Sequence, residues 1–370
     1  MNPKVSKIVE NDNILEFTIQ DCHVSFVNGI RRIIYSEIPV NAFITEKYEE
    51  NQCKINKNTT RFHNEIFKQR LACIPINETN LEMLPGKYIL ELKVKNDTNV
   101  MMDVTTEQFK IRDKESGTYM SPEEVKKIFP PNDITNDYIL FLRLRPQITS
   151  AIPGEEIDLE CDFSVSMARE NSMYNVTSLC TYGNTIDIEK ARKKWETVEN
   201  KMKGEGQTQE EIEFEKRNYY LLDAQREYIE NSFDFKLKSI GIYSNKKLVS
   251  SACGVLVNKF TQFIESIDGD SVPINLGETT MDNCHDIVLE NEDYTMGKLL
   301  EHMLYTKYFE NEKDRQLTFC GFKKFHPHSN DSVIRLSYRM NVDKNIIRSH
   351  LKTCSNDIID VFKQIQKMFS

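Results

Sequence analysis

Val24-Ser25-Phe26-Val27-Asn28-Gly29-Ile30-Arg31-Arg32-Ile33-Ile34-Tyr35-Ser36-Glu37-Ile38-Pro39 is the stretch whose reading decides the fold. Val24, Val27, Ile30 or Arg31, Ile34 and Ile38 recur at steps of three and four, so one face of a helix is apolar while Asn28, Arg32 and Ser36 lie off it. Pro39 has no amide hydrogen and restricts Ile38, so the helix stops there. Glycine inside a helix costs about 1 kcal/mol against alanine, and Gly29 therefore predicts that another backbone packs closely at that point. Taken alone, the segment is satisfied by a core helix with a solvated arginine pair.

A second segment of the same design lies near the other end: Asp293-Tyr294-Thr295-Met296-Gly297-Lys298-Leu299-Leu300-Glu301-His302-Met303-Leu304, a capping residue, a glycine one turn in, then paired aliphatics. The first segment resembles the N-x-L-R-R...E-I-P helix of the larger alpha-like subunit of cellular RNA polymerases. The second resembles the H-T-L-G-N-L-L helix of the smaller alpha-like subunit. Phe319-Cys320-Gly321-Phe322 and His326-Pro327-His328 resemble the smaller subunit's F-x-G-Y...P-H-P run, in the same order. Between them, Arg61 to Ile76 forms another helix-to-proline element with Phe62, Ile66 or Phe67, Leu71 and Ile74 inward. It is similar to the larger subunit's D-E-F-I-A-H-R-L-G-L-I-P-L run at Glu65, Phe67, Arg70, Leu71, Ile74 and Pro75, and departs from it at Ala72-Cys73, where that run has glycine.

The resemblance covers nearly the whole chain and implies both subunits fused in one polypeptide, as in large nucleocytoplasmic DNA viruses. The fold it implies is α+β, with two alpha-subunit-like dimerisation modules forming an intramolecular pseudo-dimer and the first split by an inserted β-rich domain. Residues 1–47 and 231–267 are expected to form the larger-alpha-like module and 48–188 the β-rich insert. Residues 189–230 would be a charged helical insertion, 268–280 a linker, and 281–370 the smaller-alpha-like module. The function implied is that of a non-catalytic subunit, an assembly platform for the two large catalytic subunits of a DNA-dependent RNA polymerase; a free-standing adaptor on the same scaffold is the alternative. Subunit-interface residues would be Asn28, Arg31, Arg32, Glu37, Glu65, Arg70, Leu256, Phe260, Phe263, Gly297, Leu300, Leu351, Ile358 and Ile365. Partners would be the two largest polymerase subunits and small ones in a heteromultimer, with DNA met only through the complex.

Composition is consistent with a multi-domain chain: 370 residues, 39% hydrophobic, can bury two or three cores. The net charge is −9, and residues 281–370 hold as many acidic as basic side chains, so the deficit lies in 1–280. An acidic chain without a basic stripe is a poor phosphate binder, because affinity for nucleic acid comes largely from counterion release by clustered Lys and Arg. No run approaches the ~20 apolar residues of a membrane span, and Met1-Asn2-Pro3-Lys4-Val5-Ser6 lacks a signal-peptide core. A soluble, intracellular protein is expected, working in the cytoplasmic factory and virion if viral and in the nucleus if cellular. Nine cysteines without close spacing read as reduced thiols.

Along the chain, Ile14 to Gln20 alternates as a half-buried strand, and residues 40–48 can return as a second strand beside it. From 80 to 167 the period is two: Tyr88, Leu90, Leu92 and Val94; Tyr138, Leu140, Leu142 and Leu144; Ile157, Leu159, Cys161, Phe163, Val165 and Met167. The helical insertion carries sparse apolar residues, Ile212, Tyr219, Leu222 and Ile229. Phe233, Phe235 and Leu237 mark a strand, and Val249, Ala252, Leu256, Phe260, Phe263 and Ile267 the stripe of a helix over 247–267. The last module ends in a strand with Ile334, Leu336, Tyr338 and Met340 on one face. A helix then follows whose seam, Ile347, Leu351, Cys354, Ile358, Val361, Ile365 and Met368, is of coiled-coil type and wants a helical partner.

No phosphate loop, nucleophile elbow or His-x-x-Glu-His pair is present, so catalytic, cofactor and metal residues are expected to be none. Cys320, His326 and His328 lack a fourth ligand at zinc-finger spacing. Some family members hold zinc on cysteines of the inserted domain; residues 74–160 here contain no cysteine, so that site is expected to be absent.

Overall fold

The computed structural model describes residues 1–149 and 151–369. The chain divides into two compact units: Met1–Ile34, Leu179–Lys238 and Asn245–Ser370 form one, Tyr35–Ser178 and Ser239–Ser244 the other. The chain starts with β1 (Lys4–Asn11), β2 (Ile14–Gln20) and α1 (Val24–Ser36). It then runs through β3 (Val40–Ala42), β4 (Cys53–Asn58), α2 (Asn64–Ala72), β5 (Tyr88–Lys95), β6 (Met102–Thr105), β7 (Lys110–Asp113), α3 (Pro122–Ile128), β8 (Leu140–Leu144), β9 (Glu156–Asp162) and β10 (Ser164–Ser166). It returns by β11 (Thr177–Ile186), α4 (Ile188–Gly204), α5 (Gln209–Leu221), β12 (Tyr228–Ser239) and α6 (Asn245–Asp268). The end is β13 (Ile274–Leu276), β14 (Cys284–Leu289), α7 (Tyr294–Tyr305), β15 (Leu317–Lys323), β16 (Ser332–Tyr338) and α8 (Lys344–Lys367). Helices and antiparallel sheets are thus mixed throughout.

The first unit holds two four-stranded sheets, ordered β1-β2-β12-β11 and β13-β14-β16-β15. β1 was not foreseen, although Asn11-Asp12-Asn13 is a turn signal: Asn11 pairs with Ile14, and Asp12 and Asn13 take φ of 50° and 60°, a two-residue hairpin loop. With β1 on one edge of β2 and β12 on the other, the strand expected over 40–48 has no place there. Only Val40–Ala42 is extended, and it pairs with β10. Residues 268–280, expected to be an unstructured linker, contain β13, held against β14 through Ile274 opposite Ile287; burial of Val272 and Ile274 fixes it.

α6 and α8 are the partner helices that the long seam called for. They run antiparallel: Gln366 donates to the Ser250 carbonyl at 3.1 Å, and Lys352 meets Asp268 at 2.8 Å near the opposite end. Ile347, Leu351, Cys354, Ile358, Val361 and Ile365 are all buried, each aliphatic contributing roughly 1.5–3 kcal/mol by leaving water. Met368 is exposed, because α8 ends at Lys367. Met340 is exposed too, since β16 ends at Tyr338. α4 and α5 enclose a small core of Trp195, Met202 and Ile212 with Tyr219, while the sparse apolar residues Leu222 and Ile229 face solvent beyond the end of α5.

The second unit is built on the sheet β4-β9-β5-β7 with smaller pairs β6-β8 and β10-β3. Its core gathers Phe67 and Leu71 of α2, Leu90 and Leu92 of β5, Ile157, Leu159 and Cys161 of β9, and Phe129 and Phe141. Two stretches of the expected alternation break. A bulge in the β6–β8 ladder, between Val104 and Thr105, puts Leu142 and its neighbour Phe141 both inside and leaves Leu140 outside. After Phe163 the side chains flip, so Val165 is exposed and Ser166 buried.

Candidate functional site

α1 buries Phe26, Val27, Gly29, Ile30, Ile33 and Ile34, a broader face than the spacing suggested, with Val24 left at the edge in solvent. That face is crossed by α7 in the antiparallel sense. At one end the His23 ring lies flat on that of His302, centroids 3.6 Å apart. At the other, Arg32 donates from Nε to Thr295 Oγ1 at 2.7 Å and pairs with Asp293 at 2.5 Å. In the middle, a Cβ at Gly29 would sit 3.5 Å from Leu299 Cδ1 and 3.9 Å from Leu256 and Phe362. Side chains of α7, α6 and α8 therefore meet at Gly29; the close backbone expected there is absent. Of these two helix glycines the tight one is Gly297, where a Cβ would fall 2.0 Å from the Phe322 ring.

Asp293 has two tasks. Its Oδ1 caps α7 by accepting from the Thr295 amide at 2.9 Å, and its Oδ2 accepts from Arg32. Both partners are about a third exposed, so the pair is partly screened; charge-assisted bonds of this kind contribute about 1–2 kcal/mol. Lys259 of α6 and Glu292 form a more enclosed pair at 3.0 Å. Burial, and then the His23 ring, push His302 down to about 4, and burial lowers His23. Both effects favour the neutral form of the stacked rings. They line an open cleft of about 450 Å³ with Asn28, Tyr182, Lys298 and Cys320.

The residues expected at a subunit interface fall into three groups. Leu256, Phe260, Leu300, Leu351, Ile358 and Ile365 are buried within the first unit, and Phe263 is half-buried there. Asn28 accepts from Arg31 at 3.0 Å, Arg32 joins α1 to α7, and Gly297 lies under Phe322. In the second unit, Glu37 faces Arg169 at 3.6 Å and Arg70 donates to the Leu140 carbonyl at 3.0 Å. Glu65 lines a cleft of about 430 Å³ with Tyr48, which is 93% exposed. Sequence reasoning missed His23, His302, Thr295 and the Lys259–Glu292 pair. Of these contacts only the capping role of Asp293 had a local signal.

Among the described residues no group of three or more His, Cys, Asp or Glu side chains is placed to hold a metal, and no helix is long and apolar enough to cross a membrane. Fold and site define a scaffold whose principal feature is helix-to-helix association. Residues 16–260 match the RNA polymerase Rpb3/Rpb11 dimerisation domain, and the chain belongs to that family, one of non-catalytic polymerase subunits. It is 24% identical over 182 residues, 45% of this chain and 54% of the relative, to a conjugation stage-specific protein of Tetrahymena thermophila. It is 25% identical over 201 residues, 49% of this chain and 52% of the relative, to the DNA-directed RNA polymerases I and III subunit rpac1 of Dictyostelium discoideum. The chain spans about half the length of these relatives.

Proposed function

We propose that this chain is a non-catalytic subunit of a DNA-dependent RNA polymerase, in which two alpha-like modules fused in one polypeptide pair with each other and form the platform that joins the two large catalytic subunits. The observation that carries the reading is the crossing of α1 by α7 beside the antiparallel α6–α8 pair. Each half of that arrangement supplies one glycine-bearing helix, one long helix and one four-stranded sheet. The family match ends at residue 260, so reading 281–370 as the smaller-alpha-like partner rests on its own motifs and on this packing.

On this reading the β-rich unit is the insert that splits the larger module, and 189–230 is an added helical hairpin. Small polymerase subunits complete the heteromultimer, and DNA is met only through the complex. The place of work is intracellular: the cytoplasmic factory and virion of a large DNA virus for a viral enzyme, the nucleus for a cellular one. Affinity purification of the tagged full chain from its source cells, followed by mass spectrometry, tests the proposal. The two largest polymerase subunits should co-purify in comparable amounts. Recovery of other partners without them would establish the free-standing adaptor instead.

A further inference from the structure

Cys53 and Cys161 are opposite each other in the antiparallel β4–β9 ladder, and both side chains are buried. The Asp162 amide donates to the Gln52 carbonyl at 3.2 Å, while the Cys53 amide turns to Asn51 Oδ1, also at 3.2 Å. That pattern makes Cys53 and Cys161 a non-hydrogen-bonded pair, the position where facing Cα atoms approach to about 4.5 Å and side chains are closest. A disulfide spans Cα separations of about 4.4–6.8 Å, a range that includes the spacing typical of such a pair.

The two sulfurs differ in character. The Cys161 thiol donates to the Asp162 carbonyl at 3.6 Å, and the contact with Cys161, helped by the Lys68 ammonium, lowers Cys53 against the opposing effect of burial. The same contact and burial push the Cys161 thiol up. A thiolate-prone nucleophile beside a protonated partner is the arrangement that thiol oxidation uses. β4 is an edge strand, and Cys53 is its first residue, following the exposed run 46–50. Local opening at the end of an edge strand costs less than global unfolding and would admit a water-sized oxidant. The other buried cysteines lack this pairing: burial pushes Cys22, Cys180 and Cys354 up to about 12 and raises Cys253 and Cys284 as well.

We propose that Cys53 and Cys161 form a redox modification site, reduced at rest and closed to a cross-strand disulfide by a hydroperoxide. The Cys53 thiolate attacks the peroxide, forming an S–O bond as the O–O bond breaks, and hydroxide leaves. Cys161 then attacks the sulfenic sulfur; the S–S bond forms, the S–O bond breaks, and water departs with the thiol proton. Two thiols are oxidised and one peroxide is reduced to water. The bond ties the edge strand to β9 and encloses α2, β5 to β8 and α3 in one covalent loop.

The test treats the reduced full chain with hydrogen peroxide under native conditions, blocks remaining thiols with a maleimide after denaturation, and maps the digest by mass spectrometry. A peptide linking Cys53 to Cys161 should appear before any other disulfide and disappear with a thiol reductant. Cys161→Ser should leave Cys53 reactive to a dimedone probe. The proposal is overturned if both cysteines take up maleimide in full while the exposed Cys73 is oxidised, or if the first linked peptide joins other cysteines. The mapping of the unmutated chain is decisive even where a variant fails to fold.

Discussion

Arg32 and Asp293 are joined by a 2.5 Å ion pair although 261 residues separate them in sequence. The guanidinium also holds Thr295, so one side chain of α1 fastens the first turn of α7 at two points. The resemblance implies that the paired arginines belong to a subunit interface. In the structure Arg32 is an internal fastener, and its removal becomes a question of stability.

Arg32→Ala should therefore lower the stability of the isolated chain by about 1–2 kcal/mol, because the bonds from its guanidinium to Asp293 and Thr295 are lost. A double-mutant cycle with Asp293→Asn, read by chemical denaturation, should show coupling of about 1 kcal/mol. Strict additivity of the two substitutions would mean that the pair contributes nothing.

The two glycines should respond in opposite ways. At Gly29 an added methyl meets Leu299 at 3.5 Å, ordinary contact, so Gly29→Ala should be neutral or stabilise by up to about 1 kcal/mol through helix propensity. At Gly297 the methyl would enter the Phe322 ring, so Gly297→Ala should cost about 1–3 kcal/mol, with part of the loss recovered by Phe322→Leu. Melting temperatures of the four proteins decide it; equal effects at both glycines would contradict the geometry.

Acid should loosen the crossing of α1 and α7. His302 titrates near 4 when folded against 6.5 when free, and His23 is lowered as well. The unfolded chain therefore binds more protons in that interval, and the stability present above about pH 6.5 is lost as pH falls toward 4. Melting temperature against pH should show this slope, and His302→Phe should flatten it. An unchanged slope in the variant would place the acid sensitivity elsewhere.

Leu351→Asp would bury an unpaired carboxylate in the α6–α8 seam, at a cost of several kcal/mol. Limited proteolysis in the exposed turn at 269–270 should then release the C-terminal segment, while the unmutated chain, cut at the same place, keeps its fragments together. Fragments that part equally well in both would show that the seam is dispensable.

The sequence by itself determined most of the helices and much of their buried faces, α3 inside the stretch read as strands being the exception, because periods of 3.6 and 2.0 are local consequences of backbone geometry. The 4, 3, 4, 3 spacing of α8 demanded a partner helix, and the motifs around Arg32 and Arg70 pointed to the family whose domain matches residues 16–260. What the tertiary structure alone decided are the contacts between distant segments: that β2 is closed by β1 and β12, that residues 274–276 join a sheet, that His23 stacks on His302, and that Arg32 turns inward to Asp293. Local periodicity is silent on these. An arginine off the apolar stripe can end in solvent or on a carboxylate of another helix, and only the crossing of the two helices brings the carboxylate within reach.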